Sequence, residues 1–137
     1  MYICITHSNF FFTDFLAPFL CKMGISDSSK ITSAQSQELY KECLNDLKTR
    51  LVNMANLIQE RFDIETKELE RRQARYQVKQ VHITKEEEEE YVNYCADATF
   101  RIHILETRLN EHKKKAPIKY SELEKKIRTD ARLAKHF

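Results

Sequence analysis

The sequence predicts an all-α protein: two long helices with coiled-coil seams, a short C-terminal helix, and a separate apolar N-terminal segment. Three observations predict it. The 137 residues include one glycine, Gly24, and two prolines, Pro18 and Pro117. Tight turns use a positive or a fixed φ, so few breakers mean few, long elements. Charged residues make up 32% of the chain with both signs mixed, which with helical spacing is the composition of long solvated helices. Apolar residues recur in alternating steps of three and four, which keeps their side chains on one narrow stripe of a helix.

Residues 1–30 differ from the rest. They are apolar and rich in phenylalanine: Phe10, Phe11, Phe12, Phe15 and Phe19. No Lys or Arg precedes Lys22, whereas a signal peptide starts positive. Asp14 and Pro18 interrupt the run, and a membrane span needs about 20 apolar residues in succession. A helix lying on a membrane surface would carry Lys and Arg on its polar face, and that face is missing. A membrane is therefore not expected as a partner. Either a short, loosely docked helix over about residues 10–23 or a segment contributed by an unusual start site is expected. Residues 24–34 are small and polar (Ser26, Asp27, Ser28, Ser29, Thr32, Ser33) and read as a linker. Residues 1–34 are set apart on these grounds.

The first long helix is expected over about residues 36–80, with Ser36 capping its first turn. Its seam reads Tyr40, Leu44, Leu47, Leu51, Met54 and Ile58. The phase then shifts: Phe62 follows at four rather than three, and Leu69 and Tyr76 come at steps of seven. The second half, with Glu68, Glu70, Arg71, Arg72 and Arg75, reads as mostly solvated.

A break is expected at residues 80–84. Thr84 and Glu87 match the capping box, in which each side chain satisfies an exposed backbone N–H. The acidic run of residues 86–90 then sits where the helix dipole favours negative charge. The second helix, about residues 84–115, carries the clearest pattern: Tyr91, Cys95, Ala98, Ile102, Leu105, Leu109 and His112. Tyr94, Phe100 and Ile104 widen its apolar face, which suggests two neighbours rather than one. Lys113, Lys114 and Lys115 suit its C-terminal dipole, and Pro117 is expected to stop or kink it. Residues 116–137 then read as a short helix (Tyr120, Leu123, Ile127) starting near Ser121 and Glu124, with a basic tail anchored by Leu133 and Phe137.

Folding back about residue 82 places residue 69 opposite Cys95 and residue 121 opposite Cys43. At 1.5 Å per residue the first helix is roughly 65 Å and the second roughly 45 Å. The second helix then cannot reach Leu39 to Leu47, and the third is the element available to cover them. Phe62, Phe100 and Ile104 would still need another partner. The four cysteines, Cys4, Cys21, Cys43 and Cys95, fit no zinc spacing. They read as free thiols of a reducing compartment, with Cys43 and Cys95 as seam filler.

No catalytic, cofactor-binding or metal site is expected. The histidines (His7, His82, His103, His112, His136) form no ligand set, although His103 and Glu106 share a face. No nucleophile elbow, phosphate loop or zinc-protease motif occurs. With one glycine, a backbone cradle for phosphate is hard to build. The basic patch of Lys113, Lys114, Lys115, Lys119, Lys125, Lys126 and Arg128 lies in a stretch, residues 101–137, with eleven basic and five acidic residues. Such an end attracts acidic partners, such as tubulin tails or acidic helices. It lacks the order of a bZIP protein, because the basic part follows the seam.

The runs ECLNDLKTRLVNMANLIQERFDIETKEL and EEEYVNYCADATFRIHILETRLNEHKKKAPIKYSELEKKIRTDARL resemble the C-terminal end of the dynein regulatory complex subunit 7 family. The most telling stretch is FRIHILETRLNEHKKKAPIKY, residues 100–120, which a generic coiled coil would not carry. The resemblance covers about residues 38–137. It omits the family's long N-terminal part with a transglutaminase- or peptidase-like region, so no catalytic residue carries over and the chain looks like a fragment or shortened form. It implies a structural subunit of the nexin link between microtubule doublets of motile cilia and flagella, which helps regulate dynein-driven bending.

The leading expectation is a non-catalytic axonemal scaffold segment. Its partners would be other coiled-coil subunits, with tubulin at the basic end. A general cytoplasmic coiled-coil adaptor or homodimer is the alternative. A nucleic-acid binder using the basic tail comes third.

Overall fold

The computed structural model describes residues 14–137; Cys4, His7 and Phe10 to Phe12 lie outside them. The elements are α1 (Ala17–Lys22), a 3₁₀ turn (Ser28–Lys30), α2 (Ser33–Lys79), α3 (Lys85–Thr129) and a closing 3₁₀ turn (Ala134–His136). No strand occurs among the described residues. The all-α expectation of two long helices therefore holds, with the 3₁₀ turn Ala134–His136 as the short C-terminal element. The chain forms two compact units, Met1–Thr49 with Ile118–Phe137, and Arg50–Pro117.

In the first unit, Pro18 sits in the first turn of α1, where its missing N–H would be unpaired anyway. Gly24 follows with φ 73°, a left-handed turn that side chains resist. Asp27 accepts hydrogen bonds from the Ser29 N–H and hydroxyl at 3.0 and 2.7 Å, closing the loop locally. The α2 cap differs from the expectation. The Gln35 N–H donates to Thr32 Oγ1 at 3.1 Å, and the Thr32 N–H donates to Gln35 Oε1 at 3.0 Å. This is a reciprocal capping box. Ser36 lies one turn inside it, fully buried, with no partner for its hydroxyl.

The core of this unit is Leu16, Leu20, Ile31, Leu39, Cys43, Leu44, Ile127 and Leu133. The described part of the N-terminal segment is thus not loosely docked: Leu16 is 0% exposed, while residues 10–13 of the expected helix lie outside the described residues. The reason is geometric. The first turns of α2 present two apolar rows, Leu39 with Cys43 and Tyr40 with Leu44, and one antiparallel helix covers only one row. The tail closes the unit, because Arg132 reaches both Asp14 and Asp130 at 3.0 Å.

Pro117 does not end the second helix. It lies inside α3, which runs on to Thr129, so the expected third helix is the last part of α3. An interior proline removes one backbone hydrogen bond and costs about 3 kcal/mol. Burial of Ile127 beside Tyr120 and Leu123 against the start of α2 offsets that. Glu124 is not a start signal; its Oε2 accepts the Tyr40 hydroxyl at 2.8 Å.

In the second unit α2 and α3 pair antiparallel in the expected register. Glu65 meets Arg101 at 3.3 Å, where folding about residue 82 puts residue 99. His112 Nε2 donates to the Leu51 carbonyl at 2.8 Å, where that fold puts residue 113. The seam of α2 runs Leu51, Ala55, Ile58, Phe62, Glu65, Leu69, Arg72, Tyr76, all half-buried. Ala55 takes the inward place expected of Met54, so Phe62 falls in phase and the pattern continues through the supposedly solvated half. At the turn, Thr84 Oγ1 accepts the Glu87 N–H at 3.1 Å, and its hydroxyl donates to Glu87 Oε1 at 3.2 Å. The predicted box thus forms by half: the Thr84 side chain caps the Glu87 N–H, while the Glu87 carboxylate takes the Thr84 hydroxyl rather than its backbone N–H.

Candidate partner-binding surface

Most of the predicted seam is used within the chain. Tyr40, Leu44 and Leu47 lie inward in the first unit. So do Leu51, Ile58, Tyr91, Cys95, Ala98, Ile102, Leu105 and Leu109 in the second. Met54 is 50% exposed. Sequence reasoning missed the row to which it belongs. Met54, Leu57, Arg61 and Ile64 follow steps of three, four and three along the outer side of α2, and Leu57 and Ile64 are 66% and 52% exposed. That spacing was legible, but the stronger inner stripe read from the sequence claims Met54 and hides it. On α3, Phe100 is 65% exposed and faces away from α2, while Ile104 is half-buried.

The polar groups are arranged around the pair. The Arg72 guanidinium lies 4.4 Å and that of Arg101 6.0 Å from the Tyr94 ring, two cations over one aromatic ring. Glu65 bridges Arg61 at 3.4 Å and Arg101 at 3.3 Å. Hydrogen bonds from Arg71, with Arg72 beside it, pull the Glu68 carboxyl down to about 2. Burial pushes the Cys43 thiol up to about 12, with Asp46 and Glu42 adding to it. Cys21, Cys43 and Cys95 are free thiols.

The predicted basic patch divides. Lys113, Lys114, Lys115, Lys119 and Lys125 are exposed and have no ion pair among the described residues. Arg128 is also exposed but its head group is engaged, the guanidinium 5.0 Å from the Tyr40 ring and 3.1 Å from the Tyr40 hydroxyl, to which it donates. Lys126 sits 4.6 Å over the Phe15 ring. No group of three or more metal-ligating side chains occurs among the described residues. No described helix is long and apolar enough to cross a membrane.

Long helices zipped antiparallel by a three–four seam in the second unit, with charged and apolar rows facing outward, define a coiled-coil protein. The profile of the family described as dynein regulatory complex subunit 7 C-terminal matches residues 29–137, and the chain belongs to that family. It is 51% identical over 124 residues to dynein regulatory complex subunit 7 of Xenopus tropicalis, covering 90% of this chain and 14% of that protein. To the Homo sapiens protein of the same name it is 52% identical over 120 residues, 88% of this chain and 14% of that one. To the Chlamydomonas reinhardtii protein it is 41% identical over 108 residues, 79% of this chain and 9% of that one. The chain thus spans about a seventh of the length of the vertebrate relatives it matches. Membership decides against the general cytoplasmic adaptor that the heptads alone would permit.

Proposed function

We propose that the chain is a non-catalytic scaffold segment of the axonemal nexin–dynein regulatory complex, acting in the regulation of ciliary and flagellar motility. The observation that carries this is the match across both long helices, residues 29–137, to the family of that complex's subunit 7, with an algal as well as vertebrate relatives. A structural role is supported by how the polar groups are used: Glu65, Glu124 and His112 each hold a partner on the facing helix, and Glu68 holds Arg71 and Arg72 on its own. Its partners are other coiled-coil subunits of the complex, met by the exposed apolar rows. The unpaired lysines of α3, Lys113 to Lys115 and Lys119, suit the acidic tails of tubulin.

A tagged chain expressed in ciliated cells tests this. Incorporation into isolated, detergent-extracted axonemes is the expected result, and exclusion from them overturns the proposal. Salt-sensitive binding to duplex or single-stranded nucleic acid with no affinity for axonemes would move the function to the basic tail.

A further inference from the structure

The groove between α2 and α3 on one side of the second unit is lined by Arg61, Glu65, Arg101, Ile104, Leu105 and Arg108. Arg61 of this groove also belongs to the α2 row of Met54, Leu57, Arg61 and Ile64, whose three apolar members are exposed. We propose that this groove seats an amphipathic helix of another chain whose apolar stripe is flanked by carboxylates. The inference rests on the scaffold reading and names the partner's chemistry.

Two arguments choose the occupant. The first is spacing. Met54, Leu57, Arg61 and Ile64 recur at three, four and three, the period of a helix read by another helix; a strand would demand alternation. Two packed helices bury one face of each, and a third helix completes the apolar surface left in the groove beside them. The second is charge. Three arginines line the groove against one carboxylate. Glu65 is already divided between Arg61 and Arg101, and Arg108 has no ion pair among the described residues. Arginine beside an apolar floor favours carboxylates, which its planar fork binds in pairs. A partner helix with basic flanks would meet uncompensated repulsion.

The test uses the full chain and two synthetic four-heptad peptides with leucine at a and d. One carries glutamate and the other lysine at e and g. Fluorescence anisotropy at low salt should show the glutamate peptide binding and the lysine peptide not binding. Arg108→Glu and Leu57→Glu should each weaken the glutamate peptide by about tenfold or more. Phe100→Glu, on the far side of α3, should leave it unchanged. All three positions are exposed, so helicity and melting temperature by circular dichroism should match the parent and exclude misfolding as the cause. Equal binding of both peptides, no binding, or an equal loss in Phe100→Glu overturns the proposal. So does a dimer in sedimentation that Leu57→Glu dissolves, since the occupant would then be a second copy. Axonemal incorporation separates the two readings. If the parent and Leu57→Glu incorporate equally, the groove inference fails and the scaffold reading stands. If the parent is excluded, the scaffold reading fails whatever the peptides do.

Discussion

Tyr76 and Tyr91 stack face to face across α2 and α3 next to the turn, with ring centroids 4.0 Å apart and planes 5° from parallel. The Tyr76 hydroxyl also lies 3.3 Å from Glu88 Oε1 and donates to it. A hydrogen bond with Cys95 one turn on, together with burial, pushes the Tyr91 phenol up to about 12. In the unfolded chain it titrates near 10. Below that pH the phenol is neutral in both states and its contribution is complete. As pH rises from about 10 to about 12 the unfolded chain loses the proton first, and stability falls. Ultraviolet titration of the folded chain should show a late tyrosine step, absent in Tyr91→Phe. The variant should also lose less stability over that window. A Tyr91 that titrates with the bulk of the tyrosines would refute the stacked, partly dry environment.

Burial ranks the apolar positions. Leu39 and Ile127 are fully buried in the first unit, so Leu39→Ala or Ile127→Ala should each cost about 2–5 kcal/mol. Leu57→Ala, on the outer row, should stay within about 0.5 kcal/mol of the parent. Urea unfolding followed at 222 nm measures both. Similar losses at the two kinds of site would mean that the core lies elsewhere.

Pro117 should be a net burden on α3. Its neighbours are helical on both sides, so Pro117→Ala restores a backbone hydrogen bond and a better helix former. A gain of about 1–3 kcal/mol is expected in thermal unfolding. A lower melting temperature would show that packing requires the proline ring.

The two ends of the α2 cap should respond oppositely to the same substitution. Thr32→Ala removes the side-chain oxygen that accepts the Gln35 N–H and should cost about 1 kcal/mol. Ser36→Ala removes a buried hydroxyl with no partner and should be neutral or stabilising. Destabilisation by Ser36→Ala instead would return the capping role to Ser36.

The thiols should differ in reactivity. Cys21 is exposed, whereas Cys43 is buried with its thiol held near 12. In variants that keep one cysteine each, Ellman's reagent at pH 8 should label Cys21 about a hundredfold faster or more, because the thiolate is the reactive form. Equal rates in the folded state would place Cys43 at the surface.

Some of this protein was written locally, and the sequence alone determined it. The turn cap of Thr84 and Glu87 needs residues only three apart. The periods of α2 and α3 follow from helical hydrogen bonds that span four residues. The pairing of Glu65 with Arg101 then follows within two residues from where the turn lies and from an equal rise along both helices. What sequence reasoning could not supply depended on faces that meet from distant parts of the chain. Pro117 signals a stop by local propensity, yet burial of Ile127 against the start of α2 carries the helix past it. Ala55 has too small an apolar signal to compete with Met54 on paper, but the seam needs a residue at its angle, and Met54 is left outside. Ser36 looks like a cap until burial draws it inward and leaves the work to Thr32. Leu16, Leu20 and Ile31 have no surface to dock on until the end of α3 lies beside the start of α2. Hydrogen-bonded period is a local property of the chain, whereas the choice of which row is covered belongs to the packed helices together.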